Sequence, residues 1–162
     1  MSLGMRKKTE PRRDPAILEA REDAVTTGVV LDTHALIWLV TGNERLKPGP
    51  VATLEFAAVA EGLFVPAISL WEIGMLHAKG RISIPGGVNS WVRRVLTLPG
   101  LHLSPLSPEI ALNAADLTGL HGDPADRMLV ATAIHLGFPL ATADTKILRW
   151  AAKNGLRTVD LD

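Results

Sequence analysis

The chain has 162 residues, 47% hydrophobic and 21% charged, which excludes wholesale disorder and suits one domain with a sizeable core. It contains no Cys, which excludes disulfides, thiolate zinc sites, iron–sulfur clusters and a cysteine nucleophile. Its 17 Lys plus Arg balance 17 Asp plus Glu, so bulk charge gives no argument for a polyanionic partner.

Residues 1–27 read as a mobile charged arm. Six Lys or Arg and five Asp or Glu fall within residues 1–24, beside Pro11 and Pro15 and few large apolar residues. A short helix is expected from Pro15 to Asp23, and Met1–Gly4 reads as a cloning remnant with Met5 as a second start. The folded body is expected over residues 28–162. Val29-Val30-Leu31 is a continuous apolar run, the pattern of a strand buried on both faces. Helical character follows from His34 to Val40, and Gly42-Asn43 breaks it. Pro48 suits the first turn of a helix reaching about Glu61.

Leu63–Ile68 reads as the second strand, with Ser69 opening a helix that lasts until Gly80. Arg81–Ile84 reads as extended, Val88–Leu98 as a helix, and Leu101–Leu106 as the third strand. Ser107-Pro108 and Asp123-Pro124 each open a helix by a cap followed by a first-turn Pro. Pro139–Thr142 is the fourth strand, Asp144–Asn154 a helix ended by Gly155, and Arg157–Leu161 a last strand. Strands alternating with helices across short links predict an α/β three-layer fold, a mostly parallel central sheet flanked by helices. No apolar run approaches the ~18 residues of a spanning helix, and no signal peptide is visible, so a cytoplasmic location away from membranes is expected.

Four acids stand out by position. Asp32 ends the first strand, Glu72 lies in the helix after the second, Asp126 in the Asp123-Pro124 helix, and Asp144 just past the fourth strand. In open parallel sheets, residues beyond the strand ends share one edge, where such folds carry their sites. Capping competes with function at three of them. Ser69-Leu70-Trp71-Glu72 fits a capping box, Asp123-Pro124-Ala125-Asp126 has the same spacing, and Asp144 suits an N-cap. Asp32 differs, because a carboxylate ending a buried strand needs a partner such as a metal or a base. Converging carboxylates repel and raise one another's pKa, and a hard cation resolves the conflict. Oxygen donors without Cys or paired His favour Mg²⁺ or Mn²⁺, with phosphoester chemistry as the natural use.

Competing chemistries lack their residues. The five His, at 34, 77, 102, 121 and 135, are scattered without a His-Glu-x-x-His motif, and read as structural or surface groups. There is no Gly-x-Ser-x-Gly elbow and no P-loop. A phosphatase with an aspartyl nucleophile usually carries a second Asp two positions on, where this chain has His34. Trp38, Trp71, Trp91 and Trp150 read as core residues.

The motifs taken together resemble a known family. Leu31-Asp32-Thr33-His34-Ala35-Leu36-Ile37-Trp38 resembles the opening of a PIN-domain ribonuclease. Ser69–Gly74 resembles its second motif, His121-Gly122-Asp123-Pro124-Ala125-Asp126-Arg127 its third, and Thr142-Ala143-Asp144 its fourth. The nearest type is the VapC-like toxin of toxin–antitoxin pairs. The resemblance implies a Mg²⁺- or Mn²⁺-dependent endoribonuclease in which Asp32, Glu72, Asp126 and Asp144 are the catalytic, metal-binding acids. It gives Thr142 and Asp123 supporting roles. It implies an RNA substrate, a cognate antitoxin and a homodimer, for which the apolar helix faces near Val51–Phe56 and Ile73–Leu76 are candidates. Arg93, Arg94, Arg127, Lys146 and Arg149 are candidate basic contacts to RNA. A PIN-like protein-binding module without activity, and a Mg²⁺-dependent phosphatase or DNA nuclease, remain the alternatives.

Overall fold

The computed structural model describes residues 28–162, so the expected N-terminal arm and its short helix lie outside the described residues. Five strands form one sheet: β1 (Val29–Leu31), β2 (Leu63–Pro66), β3 (Leu101–Ser104), β4 (Leu140–Thr142) and β5 (Thr158–Asp160). Their order is β3-β2-β1-β4-β5, and every pairing is parallel, more uniform than the mostly parallel sheet expected. Seven helices connect them among the described residues. These are α1 (Thr33–Thr41), α2 (Pro48–Val59), α3 (Ala67–Ala78), α4 (Val88–Val95), α5 (Pro108–Asp116), α6 (Pro124–Leu136) and α7 (Thr145–Asn154).

The three layers follow from how the strands distribute apolar side chains. Val29 and Leu31 of β1 join Leu63, Val65 and Leu101 in a core with α1–α4. Val30, between them, faces the other way and joins Leu140 with Val130 and Ala133 of α6 and Ile147, Trp150 and Ala151 of α7. Helix α5 packs Ile110 and Ala114 against Ala131 of α6. Burial on both sheet faces is why β1 reads as an unbroken apolar run rather than an alternating one. Gly100 marks the tightest seam. Its φ is +75°, and a Cβ there would lie 2.0 Å from the Ala58 carbonyl oxygen of α2, so only Gly fits.

Several expected boundaries move. Helix α3 begins at Ala67, directly after Pro66, which ends β2 because it has no amide to continue the ladder. Ser69 therefore lies inside the first turn, fully buried, and caps nothing; its Oγ has no hydrogen-bond partner. Of the expected extended piece Arg81–Ile84, Arg81 and Ile82 form a bend, and Ser83 and Ile84 lie outside any strand. Helix α4 stops at Val95, and β3 stops at Ser104. Trp38 and Trp150 are buried as expected, but Trp71 is 58% exposed.

Candidate active site

In this sheet β1 is flanked by β2 on one side and β4 on the other, so the chain order reverses beside β1. Such a switch point opens a crevice at the carboxyl ends of the strands. Asp32 follows β1 and Asp144 stands just beyond β4, the adjacent strand. A helix that returns antiparallel to the strands starts at this same edge, which brings the first turn of α6 and the early part of α3 there too.

The result is one cleft of about 420 Å³, lined by Asp32, Glu72, Asp123, Asp126 and Asp144 together with Thr33, His34, Trp38, Arg45 and Asp162. All four acids singled out in the sequence face it. Asp32 is 5% exposed and caps α1, its Oδ1 accepting from the Ala35 amide at 2.6 Å. Burial pushes the Asp32 carboxyl up, against the lowering effect of the Ala35 amide and the Thr142 hydroxyl; nearby Glu72 raises it further. Glu72 is not the capping-box acid expected from its spacing. Its Oε2 accepts a hydrogen bond from the Thr33 hydroxyl, across 39 positions of sequence, which ties α3 to the start of α1.

Asp123 caps α6, with Oδ1 accepting from the amides of Ala125 at 2.9 Å and Asp126 at 3.4 Å. Asp126 is pushed up to about 6, first by burial and then by the charges of Asp123 and Asp144. Asp144 caps α7 through Oδ1, which accepts from the amides of Lys146 at 2.7 Å and Ile147 at 3.0 Å. Its own amide donates to the Thr142 hydroxyl at 3.0 Å. Thr142 is fully buried, so it braces the acids from below rather than lining the cleft.

His121 joins this group. One ligand atom from each of His121, Asp126 and Asp144 lies within 4.8 Å of the other two. The His121 Nε2 is 3.4 Å from Asp126 Oδ2, within ion-pairing range when the ring is protonated. The alignment is not that of a hydrogen bond, so this buried nitrogen has no bonding partner. His121, Asp126 and Asp144, with the Asp126 pKa raised by burial and then by neighbouring acids and its carboxylate beside an unsatisfied imidazole nitrogen, have the donor chemistry of a divalent cation site.

The PIN domain family pattern matches residues 29–153. The chain belongs to the PIN-domain family. Ribonuclease VapC22 of Mycobacterium tuberculosis is 33% identical over 122 residues, which span 75% of this chain and 90% of that protein. Among solved structures, the VapBC2 complex of Rickettsia felis bound to a promoter DNA fragment contains a chain with a TM-score of 0.61 at 18% identity, covering 83% of this chain and 98% of that one. The DNA-bound VapBC of Salmonella typhimurium gives 0.60 at 17%, covering 83% and 98%. FitAcB of Neisseria gonorrhoeae gives 0.55 at 18%, covering 82% and 96%. These structures share the fold.

Within the PIN fold, sequence reasoning missed two groups lining the cleft, Arg45 and Asp162, and the His121 ring beside it, and it misread Arg127. His121 was grouped with the structural histidines, although its place two residues before the Asp123 cap was a usable signal. Arg45 stands at the rim with its guanidinium 5.7 Å from the Trp38 ring centroid, and Asp162 lies beyond β5; neither carries a local signature. Arg127, a candidate RNA contact, is a structural clamp. Its guanidinium donates to the carbonyls of Ala114, Ala115, Leu117, Leu120 and His121 at 2.8–3.4 Å, tying the end of α5 and the loop after it to α6.

Proposed function

We infer that this chain is an endoribonuclease that hydrolyses RNA phosphodiester bonds with the help of Mg²⁺ or Mn²⁺, as the toxin of a toxin–antitoxin pair. The observation that carries the reading is the meeting of Asp32, Glu72, Asp126 and Asp144 in one cleft at the carboxyl edge of a PIN-domain sheet. The 33% identity to a VapC ribonuclease supports RNA as the substrate, and the VapBC complexes among the fold neighbours support a cognate antitoxin. Residues 28–162 are then the nuclease unit. The protein acts in the cytoplasm; no helix among the described residues is long and apolar enough to cross a membrane. A homodimer is part of the reading. Phe56 and Val59 stand 64% and 87% exposed on α2, an apolar surface that a second copy would cover.

Asp32, Glu72, Asp126 and Asp144, with the His121 nitrogen, are the groups that would hold the ion. The ion supplies Lewis acidity, lowering the pKa of water and offsetting charge on the phosphate. The chain's own part is preorganisation. Asp32 and Asp144 each commit one oxygen to amides at a helix start, and Glu72 commits one to the Thr33 hydroxyl. Each carboxylate is thus oriented before any ligand arrives. The Thr142 hydroxyl braces two of the acids from beneath. Hydrolysis adds water across the phosphodiester: a water oxygen bonds to phosphorus, the bond to one sugar oxygen breaks, and that oxygen leaves as a hydroxyl.

The test is cleavage of single-stranded RNA with Mg²⁺, against EDTA, single-stranded DNA and a small phosphomonoester. Asp32→Asn is expected to keep the fold and lose at least about 100-fold in rate, since it removes charge without changing shape. Full activity in EDTA, or in Asp32→Asn, would overturn the metal mechanism. Activity on DNA or the monoester alone would overturn the RNA assignment.

A further inference from the structure

The cleft carries six carboxylates, from Asp32, Glu72, Asp123, Asp126, Asp144 and Asp162, against Arg45 and His34. A polyanion approaching it meets strong repulsion even after one cation is bound, so a ribonuclease built this way needs positive charge beside the site. Net charge is zero, so any such charge has to be local.

A second groove of about 240 Å³ lies beside the first: His121 lines it, and the His121 Nε2 is 3.4 Å from Oδ2 of Asp126, which lines the acidic cleft. Its other walls are Gly119, Leu120 and Trp150 with Lys146, Arg149 and Lys153, and it contains no acid. The three cations all come from α7, at spacings of three and four. At 100° per residue they fall within an arc of about 60°, and at 1.5 Å per residue they extend about 10 Å along the helix. All three are exposed, and none forms an ion pair among the described residues. Helix α7 has no Asp or Glu to partner them. Lys146 lies in the first turn, where a cation works against the helix dipole, so helix stability does not account for it. Trp150 is not available for base stacking: it is 9% exposed, and its Nε1 donates to the Thr118 carbonyl at 2.8 Å.

We propose that the Lys146–Arg149–Lys153 face of α7 is the track that holds the backbone phosphates of single-stranded RNA on one side of the acidic cleft, without reading bases. The proposal rests on the ribonuclease reading and names the substrate contact that reading leaves open. Direct charge contact gives it a salt signature, because each neutralised phosphate releases counterions.

Binding is measured by fluorescence anisotropy with short labelled RNA across a salt series, in the full chain carrying Asp32→Asn to prevent cleavage. The variant K146Q/R149Q/K153Q is expected to weaken binding about 10-fold or more. It should also reduce the slope of log affinity against log salt by about 2, from about 0.7 per phosphate contact on a single strand. Oligo-A and oligo-U should lose equally. K146R/R149K/K153R should restore the slope. A control set of other exposed cations, K79Q/R81Q, should leave it unchanged. Steady-state cleavage with Asp32 intact should show KM raised and kcat retained. Should the triple variant fold poorly, Arg149→Gln and Lys153→Gln singly should each remove about 0.7 of slope.

If the wild type cleaves RNA while the α7 variants bind like the control set, the track is wrong and the ribonuclease reading stands. Loss confined to one base would also overturn it. If the wild type neither binds nor cleaves RNA, both fall.

Discussion

Asp123 Oδ1 accepts from two first-turn amides, while Asp126, three residues on, turns a partly buried carboxylate toward His121 and Asp144. Asp123→Ala is expected to cost mainly stability, about 0.5–2 kcal/mol for a lost cap, and Asp126→Ala mainly cleavage. Thermal melts and RNA assays on both variants decide this, and loss of cleavage with an unchanged melt in Asp123→Ala would reverse the two roles. Asp126 also predicts a pH dependence. Its pKa rises from 3.8 to about 6 on folding, so between those values the folded chain holds a proton that the unfolded chain has released. The contribution to stability is present below about pH 4 and is lost as pH rises through about 6. Raised Asp32 acts in the same direction. In EDTA, Asp126→Asn should therefore gain melting temperature relative to the wild type between pH 4 and 7. A constant difference across that range would show that Asp126 is not destabilised by its neighbours.

Helix α6 is pinned by its second-turn arginine as much as by its apolar face. Arg127 reaches five carbonyls, including those of Ala114 and Ala115, which α5 leaves without amide partners near its end. Because one of the five belongs to His121, the clamp also fixes the loop that carries the imidazole. Arg127→Ala is expected to cost at least about 2 kcal/mol in urea unfolding, from the lost charge-assisted bonds. Arg127→Lys should rescue little, since an ammonium cannot reproduce the planar fork. An unchanged unfolding midpoint in Arg127→Ala would mean that water replaces the clamp at no cost. On α3 the lesson is different. Ser69-x-x-Glu72 has the spacing of a capping box, yet the helix cap falls at Pro66, three residues earlier, and Glu72 bonds to Thr33 instead. A tertiary contact outweighed a local pattern.

Across the whole molecule, six carboxylates crowd one edge, and their mutual repulsion, which a bound cation would offset, works against the caps that three of them form. Mg²⁺ or Mn²⁺ at 100 times its dissociation constant should stabilise the fold by about 2.7 kcal/mol, seen as a rise in melting temperature. Asp126→Asn should reduce that rise, and an equal rise in the variant would remove Asp126 from the ion's ligands. Light scattering should give twice the 17.4 kDa chain mass, with Phe56→Glu shifting it toward monomer. A monomer at high concentration would overturn the dimer.

The strand–helix alternation, the all-buried β1, and the helix starts at Pro48, Ser107-Pro108 and Asp123-Pro124 were legible because they depend on burial pattern and on caps within one turn. Asp32 was legible for a related reason, as a carboxylate ending a strand with no exposed face. The Thr33–Glu72 bond, the reach of Arg127, the convergence of Arg45 and Asp162 on the cleft, and the meeting of His121 with Asp144 beside it link residues far apart in sequence. No local period or cap encodes them. They exist only once parallel strands bring their carboxyl ends, and the helix starts beside them, to one edge. The sequence by itself determined which groups are chemically capable; the tertiary structure decided which of them meet.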